Sequence, residues 1–194
     1  MITSAFVEFF VREWQGILFF LTGSLGVWLT IKENVLCWPI SLIAVVISII
    51  QFFFSRLYGD MALQIVYFFA GIYGWMYWEK NKNGSFEVKH MNPKLLPLLI
   101  IITGAQAFLY YFLLVHFKSD KPLMDAVLTA CSLTVTYLMT KKWVENWLFW
   151  VVIDAAYIIL YGLKELWFYA ALSIIMTILA YIGWLKWKKE ASLK

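Results

Sequence analysis

The stretch VENWLFWVVIDAAYIILYG, residues 144–162, has the apolar content of a membrane span but carries one carboxylate, Asp154, near its middle. A helix that crosses the hydrocarbon core of a bilayer needs about 20 predominantly apolar residues. A charged side chain at that depth costs at least about 2.5–3.5 kcal/mol on insertion scales. Such a cost is tolerable when the group faces the interior of a helix bundle. Asp154 is therefore a candidate functional residue.

The composition of the whole chain is that of an integral membrane protein. Of 194 residues, 63% are hydrophobic and only 14% are charged, whereas roughly a quarter of a soluble domain is charged. Cys37 and Cys131 lie in apolar segments without a CxxC or Cys/His spacing, so we expect neither a disulfide framework nor a metal site, and no cofactor. The lysines that give a net charge of +4 cluster at span ends, which is typical of membrane proteins and does not indicate nucleic-acid binding.

Seven membrane spans are predicted from runs that are free of charge apart from Asp154. These runs cover residues 14–31, 34–55, 61–78, 95–115, 126–140, 146–163 and 166–185. The predicted organisation is an N-terminal interfacial segment (1–13), a first three-helix bundle (14–78), a cytoplasmic loop (79–94), a linker helix (95–121), a second three-helix bundle (122–187) and a C-terminal tail (188–194).

An internal repeat relates the first and last thirds of the chain. A shift of 109 residues places the sequence YGWMYWEK at 73–80 on IGWLKWKK at 182–189, and it also places Trp38 on Trp147. Repeats of three spans are typical of transporters. Because one linker span separates the two repeats, corresponding helices point the same way. The predicted fold is therefore all-α, with seven transmembrane helices in a 3+1+3 parallel repeat and a substrate site between the bundles.

The basic residues are distributed unequally between the two sides of the membrane. Five of the 16 Lys and Arg residues fall on the side of the N-terminus and eleven on the side of the C-terminus. The positive-inside rule predicts an N-terminus outside the cytoplasm and a C-terminus within it.

The sixth span carries the strongest candidate site. Trp147, Trp150, Asp154, Tyr157 and Tyr161 follow one another at +3, +4, +3 and +4, so they share one helix face. Three hypotheses for Asp154 remain open: a structural lock bonded to a buried hydroxyl or amide, a proton relay, and a partner for a cationic substrate. The aromatic neighbours favour the third, because their ring faces attract cations. No Lys or Arg of the predicted spans lies at the same depth.

Polar and aromatic residues of two other spans complete the predicted site. Gln64 and Tyr67 share a face of the third span with Gly71 and Gly74. The glycines are interpreted as helix-packing positions. Trp38 and Gln51, in the second span, are the remaining predicted substrate contacts.

Two other classes of protein fit the sequence less well than a transporter. A membrane enzyme is disfavoured because the chain's only histidines, His90 and His116, lie in a loop and at a span end, which leaves no intramembrane nucleophile and base. A non-transporting scaffold explains the spans but not Asp154, Gln64 and the tryptophans on interior faces.

Two segments resemble the PnuC family of bacterial vitamin transporters. They are LYGDMALQIVYFFAGIYGWMYW at 57–78 and KKWVENWLFWVVIDAAYIILYG at 141–162. The first is similar to the family element LYA-x-x-x-LQ … YGW-x-x-W and the second to ENW-x-x-W-x-x-x-N. The likeness runs from about residue 14 to residue 188, and the family's tryptophan pair and glutamine match Trp147, Trp150 and Gln64.

The resemblance implies a SWEET-like fold and facilitated diffusion of an unphosphorylated B vitamin across the bacterial inner membrane. It also implies a homotrimer, and a cytoplasmic vitamin kinase that traps the substrate. The family's Asn, four residues after the second tryptophan, is Asp154 here. A carboxylate suits the aminopyrimidine of thiamine, so thiamine is favoured over the alternative, nicotinamide riboside. Both vitamins are cationic and aromatic.

Overall fold

The computed structural model describes residues 18, 20–54, 58–82, 86–119, 121–165 and 167–193, without the side chains of Gln51, Asp60 and Phe168. Within these ranges the chain is all-α, as predicted, with one isolated backbone bridge. The helices are α1 (Phe20–Ile31), α2 (Cys37–Phe54), α3 (Tyr58–Asn81), α4 (Leu96–His116), α5 (Pro122–Thr140), α6 (Glu145–Leu163) and α7 (Trp167–Ser192).

Each predicted span overlaps one of these seven helices. Five of them, α2 and α4 to α7, are long and apolar enough to cross a membrane. The described part of α1 is shorter, and α3 is less apolar because it includes Asp60, Gln64 and several tyrosines. Helix α7 continues to Ser192, so most of the predicted C-terminal tail is helical. The predicted interfacial segment 1–13 lies outside the described residues.

Four helices are followed by a residue in the left-handed conformation. This conformation is usually adopted by glycine, but none of the four residues is a glycine. Glu33, Lys118, Lys142 and Glu165 follow α1, α4, α5 and α6 with φ between 54° and 58°. At three of these ends an i to i−5 backbone bond closes the last turn, as in the Schellman motif. Its donors and acceptors are Asn34 N to Leu29 O, Ser119 N to Leu114 O and Trp143 N to Leu138 O, at 2.9–3.2 Å.

Neighbouring helices pack as α2 on α3, α5 on α6 and α6 on α7, while α4 packs mainly on α5. Helix α3 also contacts α5, so the first three helices pack against the later ones. Helix α1 lies close to both α2 and α7, since a Cβ on Gly26 would meet Ser41 of α2 and one on Gly23 would meet Met176 of α7.

Residues 109 apart make equivalent contacts at one end of the bundle. Trp38 packs edge-on against Trp78 with ring centroids 5.6 Å apart, and their counterparts Trp147 and Trp187 do the same at 5.3 Å. The indole of Trp78 donates to Thr140 O at 3.0 Å, and that of Trp187 donates to Ile31 O at 3.2 Å. Since Thr140 is also Ile31 shifted by 109, the two hydrogen bonds are reciprocal.

The described part of the loop after α3 is fixed to the start of α6. Lys89 forms a backbone bridge with Trp143, through Lys89 N to Lys142 O and Val144 N to Lys89 O. The Glu145 carboxylate accepts a hydrogen bond from Met91 N and lies 2.8 Å from His90 Nδ1. This end of the bundle is therefore covered by ordered chain.

Candidate functional site

A cavity of about 390 Å³ lies within the helix bundle, with described lining residues from every helix except α4. Its volume is within the range of about 300–1,000 Å³ that is typical of small-molecule sites.

One wall of the cavity is the predicted face of α6. Trp147, Trp150, Asp154, Tyr157 and Tyr161 all line it. Tyr157 and Tyr161 stack with ring centroids 5.4 Å apart and planes 17° from parallel. This wall therefore offers aromatic faces on both sides of one carboxylate.

Another part of the lining comes from α2 and α3. Trp38, Gln64 and Tyr67 line it. The Tyr67 hydroxyl donates to Thr129 O of α5 at 3.1 Å, so this residue turns its ring, and not a free hydroxyl donor, towards the cavity. Gln64 contributes an amide with both donor and acceptor capacity.

Two tryptophans close one end of the cavity, each seated on a glycine. Trp38 and Trp147 are 3% and 2% exposed. A Cβ on Gly74 would lie 2.2 Å from the Trp38 ring, and one on Gly183 would lie 2.6 Å from the Trp147 ring. No side chain larger than hydrogen fits there without moving an indole, so the glycines allow the close packing that was predicted at Gly74.

Asp154 and the two tryptophans at this cavity have polar atoms without a partner among the described residues. The Nε1 atoms of Trp38 and Trp147 are buried without a hydrogen bond. No ion pair or hydrogen bond joins Asp154 to a described side chain or backbone group. Burying polar groups without partners is costly, so these unpaired groups are the ones that a bound ligand could satisfy.

The cavity is built from equivalent positions but has unequal chemistry. Eighteen of its 25 described lining residues form nine pairs that are 109 residues apart. The pairs are Gly23/Ser132, Val27/Thr136, Thr30/Met139, Trp38/Trp147, Ser41/Trp150, Val45/Asp154, Gln64/Ser173, Tyr67/Met176 and Gly71/Ala180. Only the tryptophan pair is identical. Val45 stands where its counterpart is Asp154, so the charge distinguishes the two halves.

The structure brings together eight of the nine predicted substrate contacts. The side chain of the ninth, Gln51, lies outside what the structure describes. The prediction missed α5, which contributes Ser132, Thr136 and Met139. A signal was present, because Thr129, Ser132, Thr136 and Thr140 form a polar stripe at +3, +4 and +4 in an apolar helix.

A family model described as nicotinamide mononucleotide transporter matches residues 13–189. The chain belongs to this family. It is therefore a multi-pass membrane protein of a bacterial transporter family, and the prediction of a transporter, not an enzyme, is confirmed.

Relatives and a solved structure agree with this assignment. The nicotinamide riboside transporter PnuC of Escherichia coli is 25% identical, over 88% of this chain and 83% of the relative. The nicotinamide riboside transporter PnuC of Neisseria mucosa is 24% identical, over 91% of this chain and 73% of the relative. A crystal structure of the vitamin B3 transporter PnuC has the same fold, with a TM-score of 0.78 and 20% identity over 99% of this chain and 88% of that one. These relatives' names support the predicted alternative, nicotinamide riboside, better than thiamine.

Proposed function

We propose that this protein is a facilitator for a small cationic aromatic B vitamin, and that nicotinamide riboside is its first candidate substrate. The observation that carries the proposal is Asp154, which lines an aromatic cavity at mid-span without a described cation to pair with. A pyridinium or thiazolium ring supplies the missing charge and stacks on Trp and Tyr faces. The names of the relatives favour nicotinamide riboside among such vitamins.

Thiamine is the second candidate, and one residue favours it. Asp154 occupies the position where the resembled family motif has Asn. A carboxylic acid, or a carboxylate facing a protonated ring, pairs with the ring nitrogen and amine of an aminopyrimidine, a group that nicotinamide riboside lacks. Titration calorimetry of the purified protein with each vitamin ranks the two, and saturable binding of neither would favour the scaffold hypothesis.

The proposed architecture is a 3+1+3 parallel repeat with the cavity between its halves. The nine equivalent lining pairs and the reciprocal tryptophan bonds support it. Helix α4 is then the linker, in agreement with its absence from the described cavity lining.

By family resemblance the proposed assembly is a homotrimer. Measuring the mass of the detergent-solubilised complex tests this proposal.

The proposed mode of transport is uniport across the inner membrane, followed by cytoplasmic phosphorylation that traps the vitamin. A single mid-span carboxylate provides no second acidic group for ion coupling. Uptake into liposomes should follow the vitamin gradient alone, and concentrative uptake driven by a proton or sodium gradient would contradict uniport.

The proposed orientation places the C-terminus in the cytoplasm, as the distribution of basic residues favours. A C-terminal reporter that is active only in the periplasm would contradict it.

A further inference from the structure

A second, smaller cavity lies on the outside of the bundle between α3, α4 and α5. It has a volume of about 340 Å³. Its walls are mostly apolar and partly exposed, with Leu98 and Ile102 of α4 at 53% and 41% exposure. Two of its polar side chains bond to each other, since the Thr134 hydroxyl donates to Gln106 Oε1 at 3.2 Å, and this hydroxyl also lies 2.8 Å from that of Thr103. The walls of this groove therefore present mainly hydrocarbon to the bilayer.

One end of the groove is marked by Lys141, which follows the last residue of α5. Its ammonium lies 3.7 Å from the ring centroid of Tyr77 and 5.4 Å from that of Tyr137, and it donates to the Tyr73 hydroxyl at 3.4 Å. Tyr73 and Tyr137 both line the groove, so the charge sits at its mouth. Trp143 lines the same end, and Trp, Tyr and Lys at a span end mark the level of the lipid headgroups.

The charge at this mouth has no acidic partner in the described part of the chain. Among the described residues, no carboxylate forms an ion pair with Lys141, whereas the adjacent Lys142 is paired with Glu33. Burial alone lowers the pKa of Lys141, but its hydrogen bonds with Tyr77 and Tyr73 outweigh burial and raise the pKa above its ordinary value. The ammonium therefore stays charged at neutral pH. Lys94, one residue before the lining residue Leu95, adds a second positive charge near this end.

We propose that the groove between α3, α4 and α5 binds one anionic phospholipid, with an acyl chain along Leu98, Leu99 and Ile102 and the phosphate at Lys141. Charge complementarity selects this occupant: a zwitterionic lipid fills the groove equally well but carries a compensating cation. A basic side chain at the membrane surface favours anionic lipid by about fivefold in affinity.

Native mass spectrometry of the detergent-solubilised protein tests the proposal with phosphatidylglycerol and phosphatidylcholine of identical chains. We expect one phosphatidylglycerol per chain to be retained about fivefold better than phosphatidylcholine. Lys141→Gln should abolish the difference, and Lys141→Arg should keep it. Lys188→Gln is the matched control, since Lys188 also lies over an aromatic ring, Trp184, but outside the groove. That control should behave as wild type.

Two further arms separate the sources of binding. Leu98→Trp fills the groove and should reduce retention of both lipids, because both use an acyl chain. Soluble glycerol 3-phosphate carries the headgroup charge without a chain and should not compete. Equal retention of the two lipids by the wild type, or an equal loss in Lys188→Gln, would overturn the proposal. So would a change of oligomeric mass in Lys141→Gln, which would make the groove an interface between copies.

Discussion

Glu33 and Lys142, which are 109 residues apart, form an ion pair across the two halves of the protein. Their Oε2 and Nζ atoms are 2.8 Å apart, and both residues have a φ of 54°. Lys142 is 8% exposed, lies over the rings of Trp78 and Phe86, and donates to Phe86 O. Positions related by the predicted repeat shift thus meet each other at the end where the tryptophans close the cavity.

Breaking this pair should destabilise the closed end. Lys142→Met leaves the Glu33 carboxylate without its partner, and removing one member of a largely buried pair costs about 3–5 kcal/mol. The swapped double variant Glu33→Lys/Lys142→Glu should recover much of that loss, because the two positions have equivalent backbone conformations. Thermal unfolding in detergent measures both.

An exposed ion pair is the matched control for this experiment. Lys82 and Glu79 form a pair with more than 45% of each side chain exposed, and Lys82→Met should change stability little, because exposed pairs contribute about 0–1 kcal/mol. If the swapped variant unfolds as early as Lys142→Met, the two positions are not interchangeable and the equivalence inferred from the repeat is wrong.

Gly183 and Gly104 should respond differently to substitution by alanine. At Gly183 the new methyl would lie 2.6 Å from the Trp147 ring, whereas at Gly104 nothing lies within 4 Å. Overpacking costs about 1–3 kcal/mol, so Gly183→Ala should lower the melting temperature and weaken vitamin binding by displacing Trp147. Gly104→Ala should leave both unchanged or raise stability slightly, since alanine favours a helix by about 1 kcal/mol. Equal melting temperatures for the two variants would contradict the close contact.

The sequence was sufficient to predict the seven helices and the face of α6 that lines the cavity. Both follow from local periodicity: apolar length defines a span, and spacings of three and four residues place Trp150 and Asp154 on one face. Breaks in the apolar runs also located the ends of most helices within a few residues.

Contacts between distant segments were not predictable in the same way. Glu33 and Lys142 each end a helix without glycine, so no turn signal marks them, and their ion pair exists only once the two halves pack. The contribution of α5 was missed for a related reason. Serine and threonine in an apolar helix commonly bond a carbonyl of the preceding turn, as Thr136 and Thr140 do here. Their presence in a sequence therefore does not indicate that they also line a cavity.

The charge of the cavity should be transferable between its equivalent positions. Asp154→Val should abolish selective binding of a cationic vitamin. Adding Val45→Asp should restore part of this binding, because Val45 is the counterpart of Asp154 and lines the same cavity. Recovery should be incomplete, since Gln64 and Tyr157 do not move with the charge. Calorimetry of the single and double variants measures the effect, and no gain from Val45→Asp would show that the position of the carboxylate, as well as its presence, decides binding.

Asp154→Asn isolates the charge of the carboxylate from its shape. The change is nearly isosteric and removes a charge from mid-span, so the empty protein should fold and keep or gain stability. Binding of a cationic vitamin should weaken, because a hydrogen bond to a charged group contributes about 1.5–3 kcal/mol, which corresponds to roughly ten- to a hundredfold in affinity. Glu79→Gln, a carboxylate change at an exposed position of α3, is the control and should bind as wild type.

The same pair of proteins separates the two candidate vitamins. An amide can accept a hydrogen bond from a ribose hydroxyl but cannot pair with a protonated aminopyrimidine as a carboxylate does, so Asp154→Asn should weaken thiamine binding more than nicotinamide riboside binding. A larger loss for thiamine would support it as the substrate, and a small, equal loss would favour nicotinamide riboside. Unchanged affinity for both vitamins in a folded variant would return Asp154 to a structural role and remove the main support for a cationic substrate.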